Sequence, residues 1–185
     1  MKKERLEIFT DAVIAIIMTL MILEIKLPEI SIPNLLDLLR QVAIYALSFI
    51  VIAITWLNHN AMFLTVDKVG IKITWINFWM LFSMSLIPLA TAPLGEHFFE
   101  KESHMFYGAV MTAVALPYTL LQLNLNKMAT HLEDKVKKTI NRQNWWATFI
   151  YALSIPLSLV SIYISTIIFV IFPIIYFTPS KKIMN

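Results

Sequence analysis

Cysteine is absent from the 185 residues, glycine occurs three times, and only 15% of the residues are charged. Without cysteine there are no disulfides, thiolate metal sites or cysteine nucleophiles, and the redox compartment is left open. Also missing are a His-Glu-x-x-His zinc motif and a Gly-x-Ser-x-Gly nucleophile turn, so no constellation of acid, base and nucleophile assembles. The chain does not read as an enzyme, and it offers no site for a tightly bound metal or cofactor. What replaces charge is hydrocarbon. With 58% hydrophobic residues and a mean hydropathy of +0.71, the chain is too apolar for a soluble domain of its length. A bilayer solvates such side chains and requires only that backbone polar groups pair within helices or closed barrels. Barrel strands would alternate over roughly 10 residues; the apolar runs here are long and continuous, so the fold class is all-α integral membrane.

A helix needs about 20 apolar residues to cross the hydrocarbon. On that rule six spans make one domain: Ile8 to Leu27, Leu39 to Leu64, Ile71 to Leu94, Met105 to Leu125, Trp145 to Ser161 and Ile162 to Thr178. The last two share one apolar stretch, too long for a single crossing, and a tight turn is expected between Ser161 and Ser165. Without that turn the count is five. The segment Met1 to Ile25, with its basic head, resembles a secretory signal. Asp11 interrupts its apolar part and no small-x-small site precedes Pro28, which makes it a retained first span.

Lysine and arginine in short loops stay on the cytoplasmic side. With six spans, one side collects twelve of them: Lys2, Lys3, Arg5, Lys68, Lys72, Lys127, Lys135, Lys137, Lys138, Arg142, Lys181 and Lys182. The other has three, Lys26, Arg40 and Lys101, beside the acidic Glu96, Glu100 and Glu102. Both termini are therefore expected in the cytoplasm, as in a multi-pass membrane protein with an even number of spans. The net charge of +3 needs no nucleic-acid partner, because the basic residues mark topology and face anionic lipid. Trp75, Trp79, Trp145 and Trp146 fall near span ends, where an aromatic belt sits. Pro88, Pro93, Pro117, Pro156 and Pro173 lie within spans and should kink them. His97, His104 and His131 fall in loops or at span edges and are expected to be solvated. Glu24 and Lys26, at the outer end of the first span, are either a local pair or part of an outer mouth.

Polar groups inside spans are costly and need a partner or a water path. Arg5 with Asp11 in span 1, Asn58 with His59 in span 2, and Asn77 in span 3 all lie toward the cytoplasmic ends. Asp11, His59 and Asn77 are thus expected to meet in one hydrogen-bonded cluster tying three helices together, a structural role ahead of ion binding or proton sensing.

The string Arg5-Leu6-Glu7-Ile8-Phe9-Thr10-Asp11, leading into an apolar helix that ends Leu23-Glu24-Ile25, resembles the Arg-x-x-x-Phe-Ser-Asp signature of bacterial homologues of the lysosomal potassium channel, transmembrane protein 175. Trp56-Leu57-Asn58-His59 is similar to the Trp-x-Asn-His segment of that family. Asn77 falls on its third-helix asparagine, and Pro88-Leu89-Ala90-Thr91 resembles its Pro-Phe-x-Thr segment. The likeness covers the first three spans. Thr10 replaces the serine, keeping the hydroxyl, and Asn60 stands where homologues often have a second histidine. The resemblance implies a six-helix subunit, present here in one copy and assembling as a homotetramer, whose first helix lines a central pore for monovalent cations. It implies that Arg5, Phe9, Thr10, Asp11, Trp56, Asn58, His59 and Asn77 anchor that helix. It also implies that Ile16 is the constriction, with Thr19 and Leu23 as further pore layers and potassium as the permeant ion.

At about 100° per residue, Ile16, Thr19 and Leu23 fall within an arc of roughly 60°, with Ala12 on the same side and Asp11 about 140° from Ile16. Periodicity alone favours ordinary helix packing, and it is the resemblance that turns this stripe toward a pore. No Thr-Val-Gly-Tyr-Gly loop is present, which excludes a carbonyl cage of that kind; conduction would run through side-chain layers. Two rivals stand beside a channel. A secondary transporter is disfavoured because the halves do not resemble each other and Gly70, Gly95 and Gly108 lie at span ends. A non-conducting membrane scaffold is the other.

Overall fold

A computed structural model describes residues 2–25 and 31–176; Lys26, Leu27, Pro28, Thr178, Lys181 and Lys182 lie outside them. The described residues form α1 (Lys3–Leu20, continued by a 3-10 turn Met21–Glu24), α2 (Ile32–Phe63), α3 (Ile71–Met84), α4 (Ile87–Glu96), α5 (Lys101–Met128), α6 (Asp134–Val160) and α7 (Ile162–Tyr176). Counting α3 and α4 as one broken pass, these make six helical passes with no strand among the described residues. By length and composition Lys3–Glu24, Asn34–Phe63, Ile71–Glu96 and Lys101–Met128 can each cross a membrane, and Ile162–Pro173 is a shorter apolar helix.

Several helices exceed the hydropathy-based spans for local reasons. The first begins at Lys3 and not Ile8, and its regular part stops at Glu24. The second begins at Ile32 and not Leu39, because Ser31 Oγ accepts the Asn34 N–H at 3.4 Å and Pro33 sits in the first turn, where its missing N–H costs nothing. The fifth begins at Asp134 and not Trp145: no glycine or proline interrupts the polar lead-in, Asp134 complements the helix dipole, and Ile140, Asn144 and Thr148 bury a stripe four residues apart.

The third pass is broken, where only a kink is expected. Pro88 has no N–H to give the Met84 carbonyl and its ring crowds that turn, so α3 stops at Met84 and α4 starts afresh at Ile87. The Ser85 N–H still reaches Leu81 O at 2.9 Å and the Leu86 N–H reaches Ser83 O at 3.1 Å. Between α6 and α7 the chain turns on Ser161 alone, with φ −159° and ψ 127°. Its N–H bonds to Leu157 O at 2.9 Å and its carbonyl accepts from the Ile164 N–H at 3.2 Å, so this one residue closes the last turn of α6 and opens the first turn of α7. Ser165 belongs to α7 and not to the turn; its hydroxyl donates to Ile162 O at 2.8 Å.

α5 is the hub, touching α3, α4, α6 and α7, while α1 packs on α2 and α3 at one side of the subunit. The core runs from Leu6, Ile14, Ile17 and Met21 of α1 through Ile52, Met62 and Phe63 of α2 and Met80 and Met84 of α3 to Leu121 and Leu125 of α5. A small residue lets α5 and α6 approach closely. A Cβ on Gly108 of α5 would stand 2.5 Å from Ser154 Oγ and 3.3 Å from Ile155 Cγ1 on α6, and Ser154 Oγ is already committed to Tyr151 O at 2.7 Å. His104, expected to be solvated, is instead fully buried. Nε2 lies 3.1 Å from Thr166 Oγ1 and Nδ1 lies 3.2 Å from Glu100 O, and Phe98 and Phe169 flank the ring.

Gly108→Val should therefore force α5 and α6 apart and lower stability by about 1 to 3 kcal/mol. Thermal unfolding of the purified protein in detergent checks this, and an unchanged midpoint would show that the interface tolerates a side chain there.

Candidate functional site

The site is built on the two faces of α1. On its inner face Leu6, Thr10, Ile14, Ile17 and Met21 recur every three or four residues and are buried against α2 and α3. Thr10 is the polar member of that stripe. Its hydroxyl donates back to Leu6 O at 2.8 Å, so toward Asn77 it can only accept, and Asn77 Nδ2 donates to it at 2.8 Å. That orientation turns Asn77 Oδ1 toward His59, where it accepts from Nε2 at 2.8 Å. The one proton on Thr10 thereby sets the sense of the whole chain, from His59 on α2 through Asn77 on α3 to α1. All three residues have zero exposure. The His59 ring stacks on Phe63 with centroids 4.4 Å apart, and Nδ1 is buried with no partner.

A second tie runs beside the first. Trp56 Nε1 on α2 donates to Asp11 Oδ1 at 2.8 Å, a bond strengthened by the carboxylate charge. A third contact is aromatic: Phe9 meets Phe78 edge-on at 5.5 Å, and Phe78 in turn meets Trp75. The single cluster expected of Asp11, His59 and Asn77 is thus two separate ties. Thr10 takes the place expected for Asp11, because one step along a helix turns a side chain by about 100°.

Two expected anchors do not join. Arg5 is exposed and forms no hydrogen bond or ion pair among the described residues; the pair nearby is Lys3 with Glu7 at 3.8 Å. Asn58, about 200° around α2 from Trp56, faces away from α1. It lines a cavity of about 80 Å³ between α2, α5, α6 and α7, with Thr55, Thr119 and Asn144.

On the opposite face of α1, Ala12, Ile16, Thr19 and Leu23 are all exposed, Ile16 at 57% and Leu23 at 75%. Thr19 donates its proton to Ile16 O at 2.9 Å, which leaves its oxygen lone pairs directed outward. Among the described residues no group of three or more His, Asp or Glu side chains could hold a metal ion.

Two buried polar clusters carry no signal readable beforehand. Thr91 Oγ1 lies 2.9 Å from Ser48 Oγ, which lies 3.0 Å from Tyr107 Oη, joining α2, α4 and α5. Along α5 and α6, Thr119 meets Thr148 at 2.9 Å, while Gln122 donates to Asn126 and Asn126 to Asn141 at 2.8 and 2.7 Å. Isolated hydroxyls and amides in apolar runs have no spacing that announces a partner; only the motif containing Thr91 drew attention to that residue.

Hydrogen bonds between membrane helices contribute about 0.5 to 2 kcal/mol each. Asn77→Ala and Thr10→Val should each destabilise by that order, and in a double-mutant cycle they should be non-additive. Unfolding in detergent with both single variants and the double variant measures the coupling; simple addition would mean that the two side chains act independently.

The family model described as Endosomal/lysosomal potassium channel TMEM175 matches residues 5–88, which hold both ties. A potassium channel of Chryseobacterium sp. (strain P1-3) is 36% identical over 186 residues, covering 99% of this chain and 96% of that protein. A potassium channel of Streptomyces collinus is 36% identical over 139 residues, 70% of this chain and 67% of that protein. Among solved structures, the crystal structure of a lysosomal potassium-selective channel TMEM175 homolog from Chamaesiphon minutus superposes with a TM-score of 0.84 at 24% identity, covering 94% of this chain and 95% of that one. The similarity to the Chryseobacterium protein extends over nearly the whole length of both chains, and this chain belongs to the Endosomal/lysosomal potassium channel TMEM175 family.

Proposed function

We propose that the chain is a passive, potassium-permeable cation channel that assembles as a homotetramer in the bacterial plasma membrane, with both termini in the cytoplasm. The observation that carries this reading is the division of α1 into a buried face tied through Thr10, with the exposed Asp11–Trp56 bond beside it, and an exposed face bearing Ala12, Ile16, Thr19 and Leu23. A helix held on one side only, in a chain whose relatives are named potassium channels, has a free side for a shared axis. Around that axis four copies of Ile16 form a hydrophobic constriction that resists wetting. Thr19, with its proton engaged internally, presents oxygen lone pairs to a partly hydrated cation. Leu23 and Ala12 complete the lining above and below.

The remaining named residues position this helix. Thr10, Asp11, Trp56, His59 and Asn77 act through the hydrogen bonds, and Phe9 through Phe78. Arg5 serves as a cytoplasmic flank, in keeping with the twelve-to-three partition of basic residues.

Potassium and sodium flux from purified protein in liposomes tests the function itself, and equal, background-level flux of both ions would reject it. Ile16→Asn should widen or wet the constriction and raise cation leak; unchanged flux and selectivity would remove Ile16 from the gate. Asp11→Ala should release the Trp56 indole and loosen α1, lowering both tetramer yield on gel filtration and thermal stability. Normal values of both would count against the anchoring role.

A further inference from the structure

The N-terminal end of α6, which is cytoplasmic on the topology proposed above, carries a feature that conduction does not use. Lys135, Lys138, Arg142, Trp145, Trp146 and Phe149 fall within an arc of about 100° on one side of the helix, and all six are exposed. The opposite side, through Ile140, Asn144 and Thr148, is buried against α5. The three cations form no ion pair among the described residues. The nearest acid on their helix, Asp134, engages Lys137 on a different side, at 3.6 Å. Trp146 is braced edge-on by Phe149 at 5.9 Å.

Read along the helix, the stripe passes from cations to indoles to hydrocarbon, for Leu153 and Val160 continue it as exposed apolar residues. About 6 Å separates Lys138 from Arg142, and about as much again separates Arg142 from Trp146. That order and spacing match the layers of a lipid: an anionic headgroup, the interfacial glycerol region and an acyl chain. A nucleic acid or an acidic soluble protein would answer the cations but leave the indoles and the apolar continuation uncovered. We propose that this face of α6 is a binding stripe for an anionic phospholipid of the cytoplasmic leaflet, its phosphate held by Lys138 and Arg142 with Lys135 at the rim, and its chain lying over Trp145, Trp146 and Phe149.

The test titrates phosphatidylglycerol into the purified full-length protein in neutral detergent and reads thermal stability, with phosphatidylcholine and inorganic phosphate as parallel arms. Phosphatidylglycerol should raise the midpoint, and the other two should not. In the variant K135Q/K138Q/R142Q the apparent affinity should fall about 100-fold, since each basic side chain near an anionic surface contributes about fivefold. A control with the same charge loss elsewhere on that side, K2Q/K3Q/K68Q, should keep the wild-type response. Should the triple variant fold poorly, Arg142→Gln and Lys138→Gln measured singly should each weaken binding about fivefold. The proposal fails if these variants respond as the wild type does, or if the control loses as much, which would mean diffuse attraction. It fails equally if inorganic phosphate alone reproduces the shift, which would mark a free-anion site.

Discussion

Two hydrogen-bonded ties on one side of α1 govern what the other side is able to do. A hydroxyl, an amide and an imidazole buried in an apolar bundle are costly unless each finds a partner. Here the partners are one another: Thr10 on α1, Asn77 on α3 and His59 on α2. Because each link requires the next to be oriented one way only, the network fixes the rotation of α1 about its own axis. Trp56 and Asp11 repeat the constraint one residue along. A purely apolar interface of leucines and methionines could slide or turn at little cost, since lipid tails are as apolar as the packing they would replace. With the rotation fixed, Ile16, Thr19 and Leu23 have one direction to face.

The subunit divides its polar residues by task. Near α1 they are few and set orientation. Along α5 and α6 they form a seam of Thr119, Thr148, Gln122, Asn126 and Asn141, reinforced by the close approach at Gly108. This seam holds α5 and α6 together, while α1 packs chiefly on α2 and α3, and the Ser48, Thr91 and Tyr107 hydroxyls join the two regions through α2, α4 and α5. α4, which starts afresh after the break before Pro88, brings Thr91 to Ser48. On the proposed assembly, α1 lines the axis with α2 and α3 packed behind it.

Much of this is legible in the chain because hydrocarbon runs and basic residues are long-range averages. Six passes, the turn after the fifth, and the membrane class follow from them. Helix ends are less legible, since the polar turns of α2 and α6 protrude from the apolar stretch and are decided by Ser31 as a cap and by a lead-in after Asp134 free of glycine and proline. Of the site, the residue types are legible and the pairings are not. Thr10 and Asp11 are adjacent in sequence, yet only the phase of the helix assigns one to Asn77 and the other to Trp56. Asn58 and His59 are likewise adjacent, and the same rotation sends Asn58 to the cavity among α5, α6 and α7. His104 is illegible for a different reason: its partners, Glu100 O and Thr166, include a residue of another helix, and hydropathy near a span end cannot tell a buried ring from a solvated one.

The absence of cysteine makes the central claim directly measurable. A single cysteine at position 23, replacing Leu23 on the exposed face of α1, can be offered a cationic, membrane-impermeant thiol reagent in proteoliposomes. If copies of α1 surround an aqueous axis, the cysteine is modified, the modification depresses potassium flux, and mild oxidation cross-links subunits through that position. If instead the thiol resists the aqueous reagent, is reached only by a lipid-soluble one, and its modification leaves flux unchanged, α1 faces the bilayer and the account is contradicted.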